Sequence, residues 1–213
     1  IADELVKRIH KNSQKLIVAP WTYKELMQDQ ETGEKYYKTA DMGPVISKEH
    51  KEKIENYISQ GVKEGAKLIE DGRNFKLQGY ENGYFIGPTL FDNVNTDMTV
   101  FSEEIFGPVL SILNPKNLTE AIQWLNKLNY GNGATIFTTS GASAKEFRAS
   151  IKCGMVGINV GVPAPMAMFP FSGWNESFYG DLHMQGSEGV MFYTRQKVIL
   201  SRWDDSYKDK QGW

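Results

Sequence analysis

The residues with the most chemical content sit in one short run, Glu103-Glu104-Ile105-Phe106-Gly107-Pro108-Val109. Two adjacent carboxylates precede an aromatic, a Gly-Pro turn and a β-branched residue. Gly107 and Pro108 would put the acidic-aromatic pair on a turn at the edge of a sheet. A carboxylate there can accept strong, charge-assisted hydrogen bonds from the hydroxyls of a sugar. Equally, the run reads as a solvated acidic turn before a strand. The residue types alone leave both readings open and favour the plainer one.

Other chemistry is sparse. The sequence has one cysteine, Cys153, so it forms no internal disulfide, and a reducing compartment is the mild preference. Cys153 falls at the end of a predicted helix, whose negative pole would oppose thiolate formation. It reads as a small filler rather than a nucleophile. His10, His50 and His183 are far apart in sequence, and no His/Cys/Glu cluster has metal-ligand spacing. There is no G-x-G-x-x-G, no Walker A pattern and no G-x-S-x-G elbow. Sequons at Asn117 and Asn175 read as chance. From the residues alone, then, no catalytic constellation and no metal site is predicted.

The elements that must position the acidic run can be read from periodicity. Ile1, Leu5, Val6 and Ile9 recur at helical spacing, giving a helix that ends near Asn12. Residues 20–41, with Pro20, Gly33 and many polar groups, read as a long surface loop. Ser47 reads as the N-cap of a helix whose buried stripe is Ile54, Tyr57, Ile58 and Val62, with Gly65 at its end. Residues 66–69, 75–77, 84–91 and 109–113 read as strands or extended segments, and Thr119–Lys127 as a helix. Then strand 134–138, helix 142–152 and strand 155–160 make a βαβ pattern. Residues 161–189 read as one irregular loop and 190–203 as a last extended segment. The fold class predicted is α/β: a layered, mostly parallel sheet with flanking helices, plus a protruding C-terminal strand.

Composition sets the outer limits. The 213 residues are 40% hydrophobic and 23% charged, with 24 Lys plus Arg against 26 Asp plus Glu. A net charge of -2 gives no electrostatic reason to expect nucleic acid. No apolar run approaches the ~20 residues of a membrane-spanning helix, and the first residues have no signal-peptide pattern. The expected location is cytoplasmic, or the mitochondrial matrix in a eukaryote.

The acidic run resembles the E-E-x-F-G-P-V signature of aldehyde dehydrogenases. Other features follow in that family's order: Asp41-Met42-Gly43-Pro44, Gly87-Pro88-Thr89, Thr119-Glu120-Ala121-Ile122, Ile136-Phe137-Thr138, Gly154–Asn159 and Pro170-Phe171-Ser172-Gly173. Finer features, including Pro163–Met168, Ser177–Asp181 and Gly189–Thr194, resemble the methylmalonate-semialdehyde dehydrogenase branch. That branch makes an acyl-CoA from a semialdehyde with NAD and coenzyme A.

The resemblance implies roles residue by residue. Glu104 matches the carboxylate that holds the nicotinamide-ribose hydroxyls, and Phe106 the aromatic beside the nicotinamide ring. Phe169 and Phe171 fall in the loop that lines the aldehyde channel. Residues 1–189 correspond to part of the catalytic domain, 190–203 to the strand of the oligomerisation sheet, and 204–213 form a tail expected to be disordered. The family's nucleophilic Cys, its general base and its dinucleotide-binding half would all fall before Ile1. The polar stretch at 20–40 is also longer than the family's usual link. The resemblance therefore predicts a C-terminal segment that acts only with the missing N-terminal half or a second chain, assembles as a homo-oligomer, and is inactive alone. The alternative is a natural truncated module used for interaction or oligomerisation.

Overall fold

A computed structural model describes residues 2–203. The tail expected at 204–213 lies outside the described residues. The chain divides into two units, residues 1–124 and 125–213.

The first unit opens with helix α1 (Ala2–Ser13), where Asp3 and Glu4 lie in the first turn and Lys11 in the last, each charge favourable at its pole of the helix dipole. His10 and Ser13 both hydrogen-bond the Glu70 carboxylate, which fastens the last turn of α1 to strand β3. Residues 20–41, expected as a loop, instead form an antiparallel hairpin of β1 (Lys24–Gln28) and β2 (Lys35–Thr39). Its turn is tied by Asp29, whose Oδ1 accepts from the amides of Glu31 at 2.9 Å and Thr32 at 2.7 Å. Its base is closed by a Val18–Met42 bridge. The strands escaped the sequence reading because they bury almost nothing: nine of ten positions are exposed. No half-buried face means no apolar alternation to read.

Helix α2 (Lys48–Lys63) begins as expected, with the Ser47 hydroxyl accepting from the His50 amide at 3.1 Å. It buries Ile54 and Ile58, whereas Val62 is exposed. Strand β3 (Lys67–Glu70) pairs antiparallel with β4 (Thr89–Asp92), and β4 pairs parallel with β5 (Val109–Ser111). All four residues of β4 are buried. The short helix α3 (Thr99–Ser102) lies between β4 and β5 in sequence, and Glu64 holds its start by accepting from the Thr99 amide and hydroxyl. Ile54, Ile58, Ile86, Phe91, Val94, Met98, Val100 and Ile105 form one apolar core. Helix α4 (Leu118–Leu125) spans the position where the units divide.

In the second unit, β6 (Tyr130–Gly131) pairs antiparallel with β9 (Trp174–Asn175). Strand β7 (Gly133–Ile136), helix α5 (Gly141–Ser150) and strand β8 (Met155–Ile158) form the expected βαβ step, with β7 and β8 parallel. The α/β class with flanking helices holds, and its sheets are small and mixed.

Residues 190–203 differ from the expectation of a strand. Helix α6 (Gly186–Phe192) occupies the start, and residues 193–203 have no regular structure. A strand needs a neighbouring edge for its N–H and C=O groups, and none is paired to this segment among the described residues. Among those residues, no helix is long and apolar enough to cross a membrane.

Candidate functional site: an acidic-aromatic turn and an aromatic loop

The turn Glu103–Val109 is built on the core of the first unit. Ile105 points inward and is buried. Glu104 and Phe106, on either side of it, point outward and are exposed. Gly107 lies so close to α2 that a Cβ there would meet Ile54 Cδ1 at 2.5 Å, so only glycine lets the turn pack this tightly. Pro108 then feeds the chain into β5, its carbonyl accepting from the Thr89 amide at 2.8 Å.

Phe106 has a left-handed backbone, φ 57°, which a bulky L-residue adopts at a cost. His50, in the first turn of α2, stabilises it. Its Nε2 lies 2.8 Å from the Phe106 carbonyl, so the tautomer that bonds is the one carrying hydrogen on Nε2. The two rings also meet edge to face, 6.4 Å apart. Phe106 nonetheless stays 77% exposed. Strain held in place around an outward-facing aromatic is a pattern of ligand-contacting positions rather than of packing. Among the described residues, the Glu104 carboxylate has neither a hydrogen-bond nor an ion-pair partner, so its acceptor capacity is free. Glu104 and Phe106 thus form one open wall. An apolar cavity of about 460 Å3 lies nearby, between α1 and the starts of β4 and β5, but neither residue lines it.

Phe169 and Phe171 belong to the second unit. Phe169 is 57% exposed. Phe171 is half-buried and bridged to Met184, its amide donating to the Met184 carbonyl at 2.8 Å. Beside them is a polar chain that no sequence motif marks. Glu188 Oε2 lies 2.7 Å from both the amide and Nδ1 of His183, and His183 Nε2 lies 3.3 Å from the Ser172 hydroxyl. The bonds from His183 hold the Glu188 carboxyl below its usual pKa, the backbone amide first and the ring second. The order Ser, His, Glu is that of an acyl-transfer triad. The neighbouring cavity of about 590 Å3 is lined by His183, Phe178 and Tyr179 among others but not by Ser172. The bonds tie Ser172 to the segment that carries His183 and Glu188. Its one local signal was the five-residue step from His183 to Glu188. His50 left no such signal, because its partner is fifty-six positions away.

Cys153 is buried, its Sγ 3.2 Å from the Met155 carbonyl. Burial pushes its thiol pKa up, which lowers its thiolate fraction and its reactivity. Among the described residues, no group of three or more His, Cys, Asp or Glu could hold a metal ion.

This geometry has relatives. A malonate-semialdehyde dehydrogenase of Halalkalibacterium halodurans is 58% identical over 162 residues, 76% of this chain and 33% of the relative. Malonate-semialdehyde dehydrogenase 2 of Bacillus thuringiensis (strain Al Hakam) is 48% identical over 205 residues, 96% of this chain and 39% of the relative. The crystal structure of a methylmalonate-semialdehyde dehydrogenase from Oceanimonas doudoroffii superposes with a TM-score of 0.83 at 40% identity, covering 95% of this chain and 39% of that one. A Sinorhizobium meliloti structure complexed with NAD, provisionally assigned to the same enzyme class, gives 0.86 at 44% identity over 98% of this chain and 40% of that one. The chain therefore spans about two fifths or less of the length of these relatives. The aldehyde dehydrogenase family model matches residues 8–199, and this chain belongs to the aldehyde dehydrogenase family.

Proposed function

We propose that this chain is the C-terminal segment of an NAD-dependent dehydrogenase that oxidises malonate or methylmalonate semialdehyde to an acyl-CoA. The observation that carries the reading is the wall made by Glu104 and Phe106, a carboxylate with free acceptor capacity beside an outward ring held by His50. A dinucleotide fits this wall. Glu104 would accept hydrogen bonds from ribose hydroxyls, and the Phe106 ring would offer an apolar face to the nicotinamide. When bound, NAD supplies the hydride acceptor. Names of relatives in the same semialdehyde class support the substrate, and the likeness to a structure complexed with NAD supports the cofactor. Coenzyme A as the acyl acceptor follows from the branch resemblance.

The 213 residues by themselves are inactive under this reading. Their single thiol is buried and less acidic than usual, and Glu104 alone does not replace a dinucleotide-binding fold. The upstream half, in the same polypeptide or a second one, supplies the nucleophile. Residues 190–203 carry the assembly: Val198, Ile199, Leu200 and Trp203 are all more than three-quarters exposed, and pairing with another copy would cover them.

Two measurements test this. The chain is assayed for semialdehyde-dependent NADH formation alone and fused behind the N-terminal part of the Halalkalibacterium relative. The expected result is no NADH from the chain and steady production from the fusion, with Glu104→Ala raising the KM for NAD roughly tenfold or more, as loss of charged hydrogen bonds implies. NADH from the chain alone, or an unaltered KM in Glu104→Ala, overturns the reading. Sedimentation of a chain ending at residue 189 checks the assembly segment, which predicts a smaller oligomer than the full chain gives.

A further inference from the structure

The polar chain Ser172–His183–Glu188 has no role in the reading above. Its geometry gives it one. Segment 183–188 grips residues 167–172 at three successive points. The Gly186 amide donates to the Ala167 carbonyl at 3.1 Å, and the Phe171 amide donates to the Met184 carbonyl at 2.8 Å. The third point is the Ser172–His183 bond. Gly186 sits so close to the loop that a Cβ there would meet the Met168 carbonyl oxygen at 2.8 Å. Phe169 lies between the gripped points and is 57% exposed. Fixing the backbone on both sides of an exposed aromatic presents that ring instead of burying it.

The third point depends on His183. In the neutral imidazole, donation of Nδ1–H to the Glu188 carboxylate leaves Nε2 to accept from the Ser172 hydroxyl, so Glu188 favours the tautomer that can hold the loop. The imidazole is also stacked on Phe178, 4.2 Å between centroids. Glu188 anchors the ring to its own backbone by bonding the His183 amide as well. The imidazole is thereby fixed in place and in hydrogen-bonding sense.

We propose that His183 and Glu188 are positioning residues that hold the Phe169–Phe171 loop in its substrate-facing shape and so set affinity for the aldehyde. The link to the aldehyde rests on the dehydrogenase reading above. The link to the loop does not. A pin of this kind acts by preorganisation: it removes the cost of ordering the loop when substrate binds. Loss of the pin therefore weakens aldehyde binding and leaves NAD binding untouched.

The test has two arms. In the 213-residue chain, amide hydrogen exchange is followed by NMR in the parent, His183→Ala, Glu188→Ala and Glu188→Gln. The two alanine variants are expected to exchange at least about tenfold faster at Phe171 and Gly186, with Ile58 in α2 unchanged. Glu188→Gln keeps an acceptor oxygen for both His183 donors, so its exchange should stay close to the parent. Unchanged exchange at Phe171 and Gly186 in both alanine variants overturns the proposal, whatever the activity. So does equal acceleration at Ile58, which marks general destabilisation. In the active fusion, His183→Ala is expected to raise the KM for semialdehyde about tenfold while kcat and the KM for NAD stay within about threefold. A loss of kcat at constant KM also overturns it. A parent fusion that makes no NADH counts against the dehydrogenase reading, and the exchange arm still decides the pin.

Discussion

Two strands of similar length in the first unit behave in opposite ways. Strand β4 (Thr89–Asp92) has every residue buried, and β2 (Lys35–Thr39) has every residue exposed. The first is held from both sides, by β3 and β5, and covered by the core around Ile54 and Ile58. Among the described residues, the second has one neighbour, β1, and no covering layer. A lone two-stranded ribbon is marginal in water. This one persists because its base is closed at Val18 and Met42 and its turn is knotted around Asp29. The contrast separates the part of the chain that carries stability from an outgrowth that uses it.

Substitutions can sharpen that contrast. Phe91→Ala in β4 removes a fully buried ring from the core and is expected to cost about 3–5 kcal/mol, read as a lower midpoint in guanidinium denaturation. Gly107→Ala, which forces a methyl against Ile54, should cost about 1–3 kcal/mol by overpacking. It should also raise the KM for NAD in the active fusion, since it moves the turn that carries Glu104. Ser47→Ala removes the cap of α2 and should cost about 1 kcal/mol.

A smaller effect depends on pH. Glu64 is held below its usual pKa, first by the Thr99 hydroxyl and then by Gln60 and the Thr99 amide. A carboxylate with a lowered folded-state pKa adds stability that is complete above its unfolded value and fades as pH falls toward the folded one. Stability should therefore decline below the ordinary glutamate range, and Glu64→Gln should flatten that decline in acid-denaturation curves. Smallest of all, Tyr37→Ala in the hairpin should change stability by no more than about 0.5 kcal/mol. An effect comparable to Phe91→Ala would break the comparison and make the hairpin part of the core.

The same contrast explains what the sequence could disclose. Helix α2 was legible because its cap and its buried residues leave local marks: Ser47 three places before His50, then Ile54 and Ile58 at helical spacing. The β7–α5–β8 step was legible because apolar strands flank a helix of ordinary length. The acidic-aromatic turn stood out through its unusual run of residue types. The hairpin left no mark because strands with two wet faces have no period. Partial alternation over residues 190–203 suggests a strand, yet strand geometry needs a neighbouring edge, and among the described residues none pairs with this segment. The bonds of His50 to Phe106 and of His183 to Ser172 were hidden because a contact across many residues imposes no spacing. Nor does a phenylalanine announce that its φ is positive.

The contact of Gly107 with Ile54 has a thermodynamic consequence. Because the turn rests directly on Ile54, a fully buried residue of α2, it has little freedom to loosen while that helix remains folded. Opening the turn and melting the core are then one cooperative event. A ligand that binds Glu104 and Phe106 only in the native arrangement would stabilise the whole first unit by mass action. Occupancy of the wall would thus register as slower exchange at Ile58, a buried residue of the helix that no ligand touches.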